Sequence, residues 1–184
     1  LELVPVAGDA PPEPADAWLH RWLDDERPLA ILVGPPGAGR STLSRWLAHD
    51  LAERWLAEAP PRQTRVPVLL PLERYRKSLS VDVLLADLLS DRRRFPGGGA
   101  PAEQRVPAVR LLNDEGRLLL VVEEIDTLPD PEAAMGEIAR LAGPRAKILV
   151  NRYGATPPGS GRANLPLHHA MRFAAPSGLD SLVR

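Results

Sequence analysis

The stretch Gly34-Pro35-Pro36-Gly37-Ala38-Gly39-Arg40-Ser41-Thr42 constrains this chain more than any other. An apolar run, Leu29 to Val33, leads into it, and a helical pattern, Leu43 to Leu56, leads out of it. Glycines let a backbone curl where a Cβ would clash, and the N–H groups of such a turn converge on one point. The helix that follows adds the field of its N-terminus, so strand, glycine-rich turn and helix together form a phosphate cradle. Gly34, Gly37, Ala38, Gly39, Arg40, Ser41 and Thr42 are the expected phosphate-binding set, with the Ser41 hydroxyl placed to reach Mg²⁺. The pattern GxxxxGK[ST] is met at every position but one: Arg40 stands at its lysine. Lysine is a compact point charge, whereas arginine is a wide planar fork. The fork still meets phosphate oxygens, but it does not fit the lysine's place between the β- and γ-phosphates. Binding that outlasts turnover is the expected consequence.

Composition narrows the partners. The 184 residues suit one domain with a sizeable core, and 44% of them are apolar. A net charge of −1 gives no electrostatic case for nucleic acid. Cysteine is absent, which excludes disulfides and thiolate metal sites and allows a cytoplasmic location. No apolar run reaches the length of a membrane span, so no membrane contact is expected. The first residue is Leu1, and the expectation is a piece of a longer protein. Lys77 and Lys147 are the only lysines, so an arginine at position 40 also follows from a general skew.

Residues 1–28 read as a short strand, a Pro-rich connector and a helix, with Asp16 as its cap and Trp18, Leu19, Trp22 and Leu23 on one face. The two tryptophans suit packing on a sheet better than walling a base pocket. From residue 29 to 176, strand and helix patterns alternate. Strands are expected at Leu29–Val33, Val66–Leu72, Leu118–Val122, Lys147–Val150 and near Met171–Phe173. Pro67 and Pro71 argue against a fully central position for the second, or mark its ends. Helices are expected at Ser41–Ala59, burying Leu43, Trp46, Leu47, Leu51 and Trp55, at Val81–Ser90, at Ala102–Leu112 despite Pro107, and at Pro131–Leu141. Residues 177–184 read as the start of a further helix, cut off at Arg184. Alternation of this kind implies an α/β fold, a parallel sheet covered by helices on both faces in three layers. Ligands of such sheets lie outside the carboxyl ends of the strands.

Acidic residues fall at one of those ends. Glu123-Glu124-Ile125-Asp126 directly follows Val122. Phosphate chemistry needs one carboxylate on Mg²⁺ and another to orient or deprotonate water. Glu123 occupies the first position, beside Ser41 as the expected metal pair, and Glu124 or Asp126 the second. Asn151 and Arg152 close the next strand, where they can meet a γ-phosphate or the attacking water. His168-His169 has no acids or cysteines in ligand spacing and reads as structural or surface.

Four stretches together resemble a NACHT domain, the P-loop NTPase module of the STAND class: Val33 to Thr42, Val66 to Leu72 with Leu79 to Leu89, Leu118 to Leu128, and Lys147 to Tyr153. The segment after Leu118 is similar also to the AAA+ pattern of an apolar strand followed by Asp-Glu-Ile-Asp, and Asn151 resembles the polar sensor of that family. The long interval between Thr42 and Glu123 favours NACHT. The resemblance implies a three-layer P-loop core, ATP or ADP with Mg²⁺, and control of a signalling or defence protein by nucleotide state. Its partners would be other domains of the same longer chain, a protein partner, or further copies in an assembly. The departures are Arg40 for lysine, Glu123 for the first aspartate, Glu124 for a glycine, Thr127 for an acid and Val150-Asn151 for Thr-Ser. Three functions follow from this pattern. One is a nucleotide-binding switch with weak or absent ATPase activity, and a second is a pseudo-NTPase scaffold that needs no nucleotide. A competent hydrolase with unusual residues is the third.

Overall fold

The computed structural model describes residues 2–5, 11–57, 64–70, 72, 88, 102–142, 145–153 and 168–173. The elements are β1 (Glu2–Pro5), β2 (Glu13–Pro14), α1 (Ala15–Asp24), β3 (Leu29–Gly34), α2 (Arg40–Ala57), β4 (Val66–Leu70), α3 (Ala102–Asp114), β5 (Leu118–Val122), a 3-10 turn (Ile125–Thr127), α4 (Pro131–Ala142), β6 (Lys147–Tyr153) and β7 (His168–Phe173). Seven strands form one sheet in the order β2-β1-β7-β3-β6-β5-β4. From β7 to β4 all neighbours are parallel, while β1 runs antiparallel to both β7 and β2. The fold is therefore α/β, as the alternating pattern predicts. Apart from Leu88, the helix expected at 81–90 lies outside the described residues, as does the segment 177–184.

Period-two alternation sorts the core into two layers. Leu29, Ile31 and Val33 face one way, toward Val109, Met135 and Ile138 of α3 and α4. Ala30 and Leu32 face the other way, toward Trp18, Leu19, Leu43 and Leu47 of α1 and α2. Because β3 and β5 are buried along their whole lengths, they read as continuous apolar runs. Pro67 lies within β4, which is the edge strand of the described sheet, the position that the proline leads one to expect.

Several local details differ from the expectations. Asp16 makes no capping bond; the N-cap of α1 is Pro14. Trp46 and Trp55 are 40% and 38% exposed rather than buried. On α2 the buried apolar stripe is Leu43-Leu47-Leu51, at a spacing of four, which leaves the tryptophans at its margins. Trp18 and Trp22 do pack on the sheet, stacked with centroids 6.3 Å apart. Pro131 takes the first position of α4, and Asp130 caps it by accepting from the Ala133 N–H at 3.0 Å. Among the described residues no helix is long and apolar enough to cross a membrane.

Candidate functional site

The loop between β3 and α2 lies at the carboxyl end of the sheet, where β3 has β6 on one side and β7 on the other. The chain leaves β3 toward β4 and returns to β7 on the opposite flank, so β3 is the switch point at which such sheets bind ligands. Gly37 and Gly39 have φ of +80° and +94°. A Cβ on Gly37 would meet nothing within 4 Å, so that position demands left-handed backbone rather than room. The Ala38 N–H donates to Pro35 O at 3.2 Å and closes the turn. The first intrahelical bond runs from the Leu43 N–H to Gly39 O at 2.8 Å, and the amides of Arg40, Ser41 and Thr42 precede it. That is the cradle the motif requires. Gly34 ends β3, in register with Tyr153 of β6.

Arg40 is 7% exposed. Its guanidinium donates to the carbonyl of Arg152 and lies over the Tyr153 ring, 4.2 Å from the centroid. The charge at the motif's lysine position is thus directed onto the end of β6. Alternation along β6 then divides the next two residues. Asn151 faces α2, 4% exposed, and its amide donates to Ser44 Oγ at 2.9 Å. Arg152 faces α4, where Nε donates to Asp126 Oδ1 at 3.0 Å and Nη1 to Glu132 Oε1 at 2.6 Å. Burial opposes the Arg152 charge, but its hydrogen bonds to Glu132 and Asp126 and their negative charges outweigh it and hold the pKa above its ordinary value. Asp126 accepts also from the Tyr153 N–H, at 2.5 Å. The structure therefore brings Arg40, Asp126, Arg152 and Tyr153 together, while Asn151 is joined to α2.

Glu123 turns toward α2. Its Oε2 lies 3.4 Å from Arg45, one helical turn beyond Ser41, and its buried Oε1 has no hydrogen-bond partner. A buried carboxylate oxygen without a donor fits a hard cation. No three His, Asp or Glu side chains among the described residues gather into a metal site. Ser41 and Glu123 would hold Mg²⁺ together with phosphate oxygens and water, and the ion would neutralise phosphate charge. Glu124 is exposed and left-handed, at φ 57° and ψ 34°; the N–H and hydroxyl of Thr127 both donate to its carbonyl.

Beside the loop lies a cavity of about 360 Å³, lined by Ala15, Asp16, Thr42, Leu43 and Trp46. Sequence reasoning missed this place because it treated Trp46 as core and Asp16 as a cap. The signal was the placement of α1 directly before β3, which sets the start of α1 against the first turns of α2. Tyr153, Ser44 and Glu132 were missed too. Their roles depend on pairings across 107 and 20 positions and on strand register, which no local pattern carries.

The sheet, the loop and its helix define a P-loop nucleotide-binding module. A family model described as an AAA domain matches residues 23–152, more than two thirds of the chain, and the chain belongs to that family. No curated protein matches it. Among solved structures, the Aeropyrum pernix ORC1 protein in complex with DNA is similar at 19% identity and a TM-score of 0.46, over 81% of this chain and 41% of that one. The chain thus spans less than half the length of that protein. The family match is to AAA domains and is not specific to NACHT domains.

Proposed function

We propose that the chain is the ATP- or ADP-binding switch module of a larger STAND-type signalling or defence protein, cytoplasmic, with weak or absent ATPase activity. The observation that carries this reading is the loop itself: two left-handed glycines followed by the free turn of an eighteen-residue helix at the carboxyl end of the central strand. The diphosphate would lie on the amides that precede Leu43, and Mg²⁺ between Ser41 and Glu123. The base would enter the cavity beside Trp46, whose exposed ring offers a stacking face. Weak turnover is supported by how the candidate groups are engaged. Asp126 accepts from Arg152 and Tyr153, and Asn151 is bonded to Ser44. Glu124 is then the carboxylate left to act on water. In this reading the partners are other domains of the longer chain, and Arg152, joined to Glu132 of α4, links the strand end to the outside of the sheet. The test is calorimetry with ATP and ADP, with and without Mg²⁺. No heat up to millimolar nucleotide, with no shift in melting temperature, would end it.

The second reading is the pseudo-NTPase scaffold, which binds a protein partner or assembles without nucleotide. It is favoured by the seating of Arg40 on the end of β6. Absence of nucleotide binding in a folded chain, and its persistence after Arg40→Lys, would make this the leading reading.

A further inference from the structure

Arg40 and Tyr153 make a contact that the phosphate-loop pattern does not contain. The Arg40 guanidinium is held twice, by the Tyr153 ring at 4.2 Å and by the Arg152 carbonyl. Tyr153 is itself fixed, because its N–H donates to Asp126 at 2.5 Å and its register partner is Gly34, the last residue before the loop. The other nearby cation, Arg152, is engaged by Asp126 and Glu132. Both guanidinium groups at these strand ends are thus turned onto protein acceptors, and the carboxylates of Glu123 and Asp126 stand at the same ends.

A nucleoside diphosphate draws on the loop amides and the start of α2, which this network does not engage. A third phosphate brings further negative charge toward Glu123 and Asp126. It gains a cation only if Arg40 leaves both the ring and the carbonyl. We propose that Tyr153 is a positioning residue that holds Arg40 against β6 and makes the site select nucleoside diphosphates over triphosphates. The proposal rests on the nucleotide-binding reading above. Losing a partly desolvated cation–π contact together with a charge-assisted hydrogen bond corresponds to about ten-fold in affinity or more.

The experiment is calorimetric titration of the 184-residue chain with ADP and with ATP, each with Mg²⁺, for the wild type, Tyr153→Phe, Tyr153→Leu and Tyr153→Ala. Tyr153 is 41% exposed, so these changes leave the core intact, and melting temperatures check this. The wild type is expected to bind ADP about ten-fold more tightly than ATP. Phe, which keeps the ring face, is expected to preserve that ratio. Leu and Ala are expected to bring it within about two- to three-fold by tightening ATP, with ADP affinity held. Equal or tighter ATP binding in the wild type overturns the proposal. So does an unchanged ratio in both the Leu and Ala variants, or equal weakening of both nucleotides, which marks a purely structural tyrosine. No heat with either nucleotide overturns the nucleotide-binding reading and the inference with it.

Discussion

Strand β6 meets a buried basic side chain at each end, and the two ends use opposite chemistry. At its amino end, Lys147 is 3% exposed and donates to the carbonyls of Trp22, Asp25 and Arg27, at 2.8, 2.5 and 2.7 Å. At its carboxyl end, Arg40 reaches across from α2 to one carbonyl and one aromatic ring. In a chain whose basic residues are arginine at all but two positions, a lysine is kept where three acceptors converge. Only a compact ammonium can aim three donors at one such point, and a planar fork cannot. The phosphate loop is the other place where a compact charge would be expected, and there the fork is found. The arginine skew yields to geometry where the protein's own carbonyls require it, and does not yield at the loop. The loop end of β6 is built around the fork.

Removing the ammonium is the strongest way to break this comparison. Lys147→Met takes the ammonium away from three carbonyls: Trp22 O keeps the Asp25 N–H and Arg27 O keeps the Trp22 indole N–H, but Asp25 O loses its side-chain donor, and the change should destabilise the fold by about 2–4 kcal/mol. Lys147→Arg should recover only part of that. Denaturant midpoints of the three proteins check it, and equal stability of the Arg variant would refute the claim that shape, not charge, selects lysine. Stability should also depend on pH in an unusual direction. Burial first, then the nearby Arg65 charge, push the Lys147 pKa down from 10.5 to about 8. Between those values the unfolded chain binds the extra proton, so this group's contribution rises with pH from about 8 to 10.5. Below about 8 its cost is fully present. The Met variant should lack that rise, measured as its stability difference from the wild type across the window.

At the other end, Arg40→Lys with Glu123→Asp tests whether the loop can be returned to ordinary phosphate chemistry. The lysine gives up the Tyr153 ring and regains a point charge between the β- and γ-phosphates. The aspartate is shorter by one methylene and withdraws from Arg45, which now lies 3.4 Å from Glu123. Both groups would meet one Mg–triphosphate, so the pair should gain about 1–3 kcal/mol in Mg²⁺-dependent ATP binding, more than the two single changes summed. ATP affinity of the four proteins, with and without Mg²⁺, is the measurement. Unchanged or weaker binding in the double variant would mean that Arg40 and Glu123 are a matched set.

The contrast between the two ends also marks what was legible in the sequence. The strands from β3 to β6, the loop and the carboxylates after β5 could all be read locally, because each is a run, a period or a spacing. Pro67 even placed β4 away from the centre. The cradle around Lys147 could not be read, since its three carbonyls come from the end of α1 and the turn after it. The same holds for Arg40 on Tyr153, where the register of two parallel strands sets the contact. Trp46 and Trp55 were misplaced for a different reason. An i, i+4 leucine stripe was already sufficient to seat α2, and hydrophobicity alone does not say which apolar residues lie outside the stripe.

The smallest effect concerns Glu124, which combines backbone strain with the carboxylate that the proposed function assigns to the attacking water. Its φ of 57° puts a side-chain-bearing residue in the left-handed region, and it is the only described non-glycine residue there. That conformation costs about 1–2 kcal/mol for an L-residue, and a glycine avoids it but loses about 0.5–1 kcal/mol of chain entropy on folding. Glu124→Gly should therefore stabilise the chain by about 0.5–1 kcal/mol, read as a shift in denaturant midpoint at unchanged slope. Any residual ATP hydrolysis should fall in the same variant, because the carboxylate that can orient water has gone. Stability and turnover moving in opposite directions is the signature of strain held at a working position. A variant that is less stable would mean that the turn depends on the Glu124 side chain. A more stable variant that hydrolyses ATP at the wild-type rate would mean that the water is handled elsewhere, with Asp126 the next carboxylate to test.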